Sequence, residues 1–293
     1  RPSRHGGAGA RGARPLRQGV TIFDTIILAP ETAIRLGAFG GGFTLFTLWE
    51  AVMPRRARVL PRLMRWRTNL LLIALNTGLG RLLAGAAPVA AAALAHANGI
   101  GLFNMVAAPA WLAFALSVLA LDLVIYAQHV AFHLTPALWR FHFVHHADRD
   151  IDVTTGLRFH PGEIVISLAI KSVAAVLLGA PVAAVVAFEV ILNLTAMFNH
   201  SNIALPSWLD RGLRLFLVTP DMHRVHHSIH RDETDSNYGF NLSLWDRAFG
   251  TYIPQPRDGH LAMTIGLPDL QSEAPARLLW ILRAPFARPA GNA

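Results

Sequence analysis

Residues 122–146 read DLVIYAQHVAFHLTPALWRFHFVHH, an apolar stretch that carries five histidines. On an α-helix, offsets of three and four residues bring side chains to one face. Such offsets relate Asp122, Tyr126, His129 and His133. Offsets of three and one relate His142, His145 and His146, and this spacing returns at His223, His226 and His227. Eight histidines at helical spacings predict a metal site that is built on helices.

The composition around this stretch is typical of a membrane protein. Hydrophobic residues make up 53% of the 293 residues and charged residues 15%, whereas soluble domains carry roughly 25% charged residues. The mean hydropathy is +0.39. The formal net charge of +8 comes from arginine, because Lys171 is the only lysine. The arginines border apolar segments, as the positive-inside rule expects, so we exclude nucleic acid as a partner. The absence of cysteine excludes disulfides and thiolate metal sites.

Composition divides the chain into four regions. Residues 1–20 are rich in Gly, Arg and Ala and are predicted to form a disordered basic tail. Residues 21–133 are predicted to hold the membrane-spanning helices. Residues 134–252 are predicted to form the histidine-rich metal region with the catalytic site, and residues 253–293 a C-terminal cytoplasmic tail.

Three membrane crossings are expected near residues 34–53, 68–95 and 107–133, because each crossing needs about 20 largely apolar residues. The loop at 54–67 contains six arginines, which is typical of a cytoplasmic loop. Two further crossings return the chain to the cytoplasm at His129. We therefore predict an all-α integral membrane helical bundle with a cytoplasmic, histidine-rich cap.

Residues 163–200 are predicted to form a helical hairpin that turns at Gly179-Ala180-Pro181. Folding there brings Lys171 opposite Glu189, and burial as an ion pair would explain a lysine in an apolar run. Each arm is close to the shortest length that crosses a bilayer, about 17 residues, so both a spanning and a re-entrant hairpin fit. Arg81 lies inside the second predicted crossing, where an arginine usually has a partner or faces the interior.

The histidines are suited to bind two metal ions. Neutral imidazole binds Fe, Zn, Cu and Ni, and a catalytic metal with an open position takes about three protein ligands. Eight ligands therefore fit two metals: His129, His133, His142, His145, His146, His223, His226 and His227. His200 is predicted as a ninth ligand, with a capping or supporting role as the alternative. His160 is either an outer ligand or a structural residue.

Carboxylates are expected around these ligands, because a ligating histidine usually donates its other ring N–H to a carboxylate or a carbonyl. The candidates are Asp122, Asp148, Asp152, Asp221, Asp235 and Asp246. Asp122 is the strongest of them, because it shares a helix face with His129.

Several motifs resemble the fatty acid hydroxylase superfamily. They are the three histidine spacings, Leu138-Trp-Arg-Phe-His142, Asn237-Tyr-Gly239 and Trp245-Asp-Arg-Ala-Phe-Gly-Thr-Tyr252. The branch they resemble most is the bacterial sterol desaturase family, to which Arg158-Phe-His-Pro-Gly-Glu163 is also similar. The resemblance covers about residues 120–252.

The resemblance implies a non-haem di-iron enzyme of the bacterial inner membrane, with its active site in the cytoplasm. It implies that the eight clustered histidines bind the two iron ions, with His200 as a ninth ligand. Such an enzyme uses O2 to hydroxylate or desaturate a membrane lipid, for example a sterol or a fatty acyl chain. Because the chain shows no cytochrome-like or flavin-binding segment, electrons would come from a separate ferredoxin or cytochrome b5-like donor with its reductase.

Two other functions are compatible with the histidines. A di-zinc membrane hydrolase could use the same ligands, although no general-base carboxylate stands at metalloprotease spacing. A non-catalytic metal-binding or transport protein would carry ionisable residues along its crossings, and only Arg81, Lys171 and Glu189 qualify. The sequence does not choose between hydroxylation and desaturation.

Overall fold

The computed structural model describes residues 22–287, which are almost entirely helical. Its α-helices are α1 (Ile22–Val52), α2 (Arg62–Leu82), α3 (Pro88–Ala97), α4 (Leu102–Met105), α5 (Ala110–Leu134), α6 (Pro136–His146), α7 (Pro161–Leu178), α8 (Val182–Asn199), α9 (Ser207–Leu213), α10 (Pro220–His226), α11 (Arg231–Thr234), α12 (Leu244–Ala248), α13 (Gly259–Ala262) and α14 (Leu278–Ala287). Short 3-10 helices lie at Ala84–Ala86, Thr155–Leu157, Pro268–Leu270 and Ala274–Ala276. Over this range, β-structure is limited to three isolated bridges. The all-α prediction is confirmed, whereas the basic tail predicted at 1–20 lies outside the described residues.

Three of the described helices are long and apolar enough to cross a membrane, namely α5, α7 and α8. They confirm the prediction of an integral membrane helical bundle. Helix α5 matches the crossing predicted near 107–133. Helix α1 contains the segment predicted at 34–53 but is not one of the three, because Arg35 and the glycines at 40–42 lower its hydropathy.

The single crossing predicted at 68–95 is wrong, because the chain breaks between α2 and α3. Helix α2 ends at Leu82, and Ala87 is extended, with φ −69° and ψ 154°. The cause is Pro88, which disfavours the helical conformation at the preceding residue and lacks the N–H that a helix interior needs. Proline suits the first turn of a helix, so α3 begins at Pro88.

The predicted hairpin is confirmed as α7 and α8, which meet at the predicted turn. Gly179 ends α7 in the left-handed conformation, with φ +58°. Pro181 then precedes the first turn of α8. A Cβ on Gly101, in the loop after α3, would lie 2.2 Å from the Gly179 nitrogen. Glycine at both positions therefore lets the loop after α3 pack on the tip of the hairpin.

The core of the membrane region lies where α5 packs against the hairpin. Leu121 and Ile125 of α5 are buried with Val185 and Phe188 of α8. Ala175 of α7 belongs to the same core and is fully buried. Small side chains of this kind allow close helix packing in membranes. This packing fixes the C-terminal ends of α5 and α8, which are the ends that carry histidines, relative to each other.

Candidate metal centre

The fold brings the nine histidines predicted as ligands into two adjoining groups. The first group contains His129 and His133 of α5, His142 and His146 of α6, and His226 of α10. The second contains His145 of α6, His200 after α8, and His223 and His227 of α10 and its C-cap. Within each group the potential ligand atoms lie within 4.8 Å of one another, and all nine side chains are buried.

Helix ends set the directions of these side chains. Helix α5 ends at Leu134, just before Pro136, which cannot continue a helix and starts α6 instead. The turn reverses the chain so that α6 returns beside the last turns of α5. Helix α10 begins in the same manner, with Thr219 as N-cap and Pro220 as the first helical residue. The Thr219 hydroxyl accepts a hydrogen bond from the Met222 N–H, which satisfies one free backbone donor of the first turn.

Inside the groups, ring nitrogens face one another at metal-ligand spacing. The Nε2 atom of His129 lies 3.1 Å from the Nε2 atoms of His142 and of His226. In the second group, Nε2 of His200 lies 3.1 Å from Nε2 of His145 and of His223. Two imidazole nitrogens bound to one ion at about 2.1 Å and at right angles would be about 3.0 Å apart. The donor set therefore fits a metal ion in each group.

The opposite ring nitrogens face hydrogen-bond acceptors. Nδ1 lies 2.7 Å from a backbone carbonyl oxygen in three residues: His129 at Tyr238, His200 at Ala196 and His226 at Ser236. Nδ1 of His142 donates to Oε1 of Glu163 at 2.8 Å. Nδ1 of His133 donates to Oδ1 of Asp235 at 3.1 Å. A proton held on Nδ1 leaves the Nε2 lone pair free to bind a metal inside the group.

Some buried ring nitrogens have no partner among the residues that the structure describes. Within the two groups they are Nε2 of His133, Nδ1 of His223, and both nitrogens of His227. Buried polar atoms are nearly always hydrogen-bonded, so unpaired nitrogens inside a histidine cluster point to a missing partner. A metal ion is the partner that suits convergent imidazole lone pairs.

The environment keeps five of the clustered histidines neutral. Burial, followed by repulsion from neighbouring histidines, lowers the pKa values of His145, His146, His223 and His227 well below the ordinary value. Burial lowers the pKa of His200 to about 3. Neutral imidazole is the form that binds metals, so these five side chains can bind a metal at neutral pH without first losing protons.

Of the six aspartates predicted to support the histidines, Asp235 does so through His133, whereas Asp122 and Asp246 have other partners. Asp122 accepts hydrogen bonds from Nε1 of Trp245 at 2.8 Å and from the Leu242 N–H at 3.3 Å. The predicted contact between Asp122 and His129 is therefore not made, because His129 uses the Tyr238 carbonyl. Asp246 accepts from the backbone N–H groups of Tyr238 and Gly239. Asp246 thus has no direct contact with a clustered histidine in the described chain, but it holds Tyr238, whose carbonyl accepts a hydrogen bond from His129.

Asp148 and Asp152 form a buried framework with Arg65 beside the metal groups. Arg65 donates to both carboxylate oxygens of Asp148 at 2.7 Å and to Asp152 at 2.5 Å. Burial alone would raise the pKa of Asp148, but Arg65 outweighs it and lowers that pKa below the ordinary value. Arg158, also fully buried, donates to the carbonyl of Val144 and to Asn69. These arginines fix the segment that follows α6.

His160 lies outside both groups. It is the N-cap of α7, and its Nδ1 accepts a hydrogen bond from the Gly162 N–H at 2.9 Å. Of its two predicted roles, the structure thus supports the structural one. Glu163, which does contact a ligand histidine, was not among the predicted supporting residues. The signal that could have identified it was its place in the Arg158-Phe-His-Pro-Gly-Glu163 motif, three residues after His160.

A cavity of about 690 Å³ adjoins the first histidine group. His129 and His142 line one part of it, beside Glu163, Phe132 and Phe159. The walls continue between α1, α2, α5, α7 and α8 and are largely apolar, with Phe39, Ile125, Ile164, Leu168 and Leu194 among them. An apolar cavity of this size that ends at the metal ligands suits a lipid chain.

Charged residues line the cavity away from the histidines. Nζ of Lys171 lies 3.1 Å from Oε1 of Glu189, which confirms the predicted pair. Arg35 of α1 was not predicted to take part. It donates to Oε2 of Glu189 at 2.7 Å and to Glu31 at 2.8 Å.

Comparison with known proteins gives one family and several relatives. Residues 114–251 match the family described as Fatty acid hydroxylase. An ornithine lipid hydroxylase of Rhizobium tropici is 32% identical over 133 residues, which are 45% of this chain and 39% of that protein. An alkylglycerol monooxygenase of Danio rerio is 35% identical over 147 residues, which are 50% of this chain and 30% of that protein. The alkylglycerol monooxygenase of Homo sapiens is 33% identical over 136 residues, which are 46% of this chain and 29% of that protein. The matches thus span about a third of each relative's length, and no solved structure matches.

Proposed function

We propose, because residues 114–251 match the Fatty acid hydroxylase family, that this chain is a di-iron enzyme of that family. It would oxidise a membrane lipid with O2. The observation that carries this proposal is the pairing of five and four buried histidines in adjoining groups. Two bound iron ions would supply the redox chemistry that activates dioxygen. The protein supplies nine histidine side chains, their orientation and a cavity for the substrate.

The substrate is proposed to be a lipid, because the cavity that reaches His129 and His142 has mostly apolar walls. The bilayer holds such molecules, and three helices of the chain are apolar enough to lie in it. Apolar walls also exclude water from the reacting carbon, which limits side reactions. The lipid would lie against the first histidine group, since none of the second group lines the cavity.

Hydroxylation is the proposed outcome, because the relatives are named for it. One is a lipid hydroxylase by name and two are monooxygenases. The predicted likeness to the sterol desaturase branch stays a prediction, and a sterol substrate is one possibility within the broader lipid class.

The proposed site lies at the cytoplasmic surface of the bacterial inner membrane. The six arginines at 54–67 lie in the loop before α2 and in the first turns of α2. They support this placement, because the positive-inside rule puts arginine-rich segments beside membrane helices in the cytoplasm. That loop reaches the metal region, since Arg55 pairs with Asp221 at 3.0 Å, two residues before His223. An acidic ferredoxin or cytochrome b5-like donor, with its reductase, would meet a complementary surface there.

Comparative lipid profiling tests this function. Cells that express the chain should accumulate a lipid whose mass has increased by one oxygen atom, and cells without the gene should not. The His145→Ala variant should give no such product, and the His230→Ala variant should give as much as the wild type, because His230 pairs with Asp258 outside both groups. A free fatty acid or alcohol released in place of the oxidised lipid would instead support the di-zinc hydrolase.

A further inference from the structure

The cavity has a charged region whose charges are not balanced. Apart from Glu163 and the two histidines at the other end of the cavity, five ionisable side chains line it: Glu31, Arg35, Arg81, Lys171 and Glu189. Three are cations and two are carboxylates, so the formal charge of this region is +1. Ionisable groups within membrane helices are costly and usually mark a functional site.

The charged region lies at a distance from the metal groups. On α7, Lys171 stands eight residues beyond Glu163, which contacts His142. A rise of 1.5 Å per residue makes this separation roughly 12 Å. On α2, Asn76 donates a hydrogen bond to the Phe159 carbonyl, at the end of the cavity that the histidines line. Arg81 lies five residues after Asn76 on the same helix, which places it roughly 7.5 Å further from the histidines. The two helices thus carry their cations in the same direction away from the histidines.

The two carboxylates of this region already accept hydrogen bonds from its cations. Both oxygens of Glu189 already accept, one from Lys171 and one from Arg35. Glu31 accepts from Arg35. Arg81, which is exposed, forms no ion pair with any residue whose side chain the structure describes. Arginine has five N–H donors and lysine three, and neither can accept. What this region lacks is therefore a further acceptor with negative charge.

We infer that Arg81, with Lys171 and Arg35, binds an anionic group of the lipid substrate, a carboxylate or a phosphate, while the apolar walls hold its chain toward His129 and His142. That the bound lipid is a substrate rests on the proposed function. The anionic group would complete the charge of the region, and its distance from the histidines would select the carbon that is oxidised. Arg81 is thus a specificity-determining residue.

Equilibrium binding to the purified full chain in phosphatidylcholine vesicles tests the inference. The probes are hexadecanoate, hexadecyl phosphate and hexadecanol, which share a chain and differ in the head. Charge-assisted hydrogen bonds make us expect at least one of the two anions to bind about tenfold more tightly than the alcohol. The anion that binds more tightly identifies the source of the ligand.

Arg81→Gln should remove most of this preference, because it breaks no ion pair of the described chain. The matched control is Arg67→Gln, an exposed arginine of the same helix that does not line the cavity. Equal binding of the alcohol and both anions would overturn the inference, and so would equal preferences in the two variants. Binding needs no oxidation. A head preference without lipid oxidation would thus refute only the proposed function, and lipid oxidation without a head preference would refute only this inference.

Discussion

Nδ1 of His142 donates a hydrogen bond of 2.8 Å to Oε1 of Glu163, and this contact joins the metal site to the cavity. Glu163 lies in the first turn of α7, two residues after Pro161. Its other carboxylate oxygen, Oε2, is buried without a hydrogen-bond partner in the described chain. The carboxylate therefore orients one ligand ring while its free oxygen stands at the histidine end of the substrate cavity.

Glu163→Ala should weaken iron binding, because the His142 ring loses the acceptor that fixes its orientation. Loss of such a partner typically costs about 10- to 100-fold in metal affinity. Glu163→Gln should lose less, because its amide oxygen still accepts from Nδ1. Iron titration of the purified variants measures this, with exposed Glu273→Ala as the control. Unchanged affinity in Glu163→Ala would show that the contact does not support the metal.

His145→Ala and His226→Ala remove one ligand from each histidine group. We expect both variants to insert into the membrane, to bind less than two iron ions per chain and to form no oxidised lipid. Metal analysis and product mass spectrometry measure these outcomes, and His230→Ala should behave as the wild type. Full product formation by either ligand variant would contradict the assignment of two metals.

Arg65→Met should destabilise the protein strongly. Arg65 is fully buried and binds Asp148 and Asp152, so its loss removes the cation that is paired directly with both buried carboxylates. Breaking a buried pair in this way costs about 3–5 kcal/mol in the free energy of unfolding. Denaturant unfolding in mixed micelles measures the loss. Arg67→Met, at an exposed position of the same helix, should cost much less, and equal losses would argue against the framework.

The helices and the nine clustered histidines could be predicted because both rest on local patterns. The spacing of His142, His145 and His146 indicates a helix face, and the apolar runs indicate α5, α7 and α8. The turn at Gly179 and Pro181 followed from backbone chemistry alone. Pro88 carried a similar signal, but the uncharged run around it favoured one continuous crossing, and that prediction was wrong.

Contacts between distant segments could not be predicted in this way. Asp122 shares a helix face with His129, yet the Nδ1 atom of His129 is hydrogen-bonded to the backbone carbonyl of Tyr238 instead. Arg35 joins Glu189 from 154 positions away. Such pairings depend on how α1 and the cap pack against the bundle. Side-chain spacing along one helix does not contain that information.

The position of oxidation should follow from the charged region of the cavity. If the anionic group sits near Lys171, the reacting carbon lies roughly 12 Å away. An extended chain advances about 1.2 Å per bond, so we expect oxidation roughly ten bonds from the carboxylate or phosphate. Tandem mass spectrometry of the product locates the new oxygen. Oxidation next to the anionic group would contradict this arrangement.

The most direct test of the proposed chemistry is a reaction of the iron-loaded full chain with lipid, a reduced electron donor and dioxygen labelled with heavy oxygen. We expect one labelled oxygen atom in each hydroxylated lipid, and no product from His145→Ala. Product oxygen that comes from water, or lipid cleavage that proceeds without dioxygen, would contradict a di-iron lipid oxygenase.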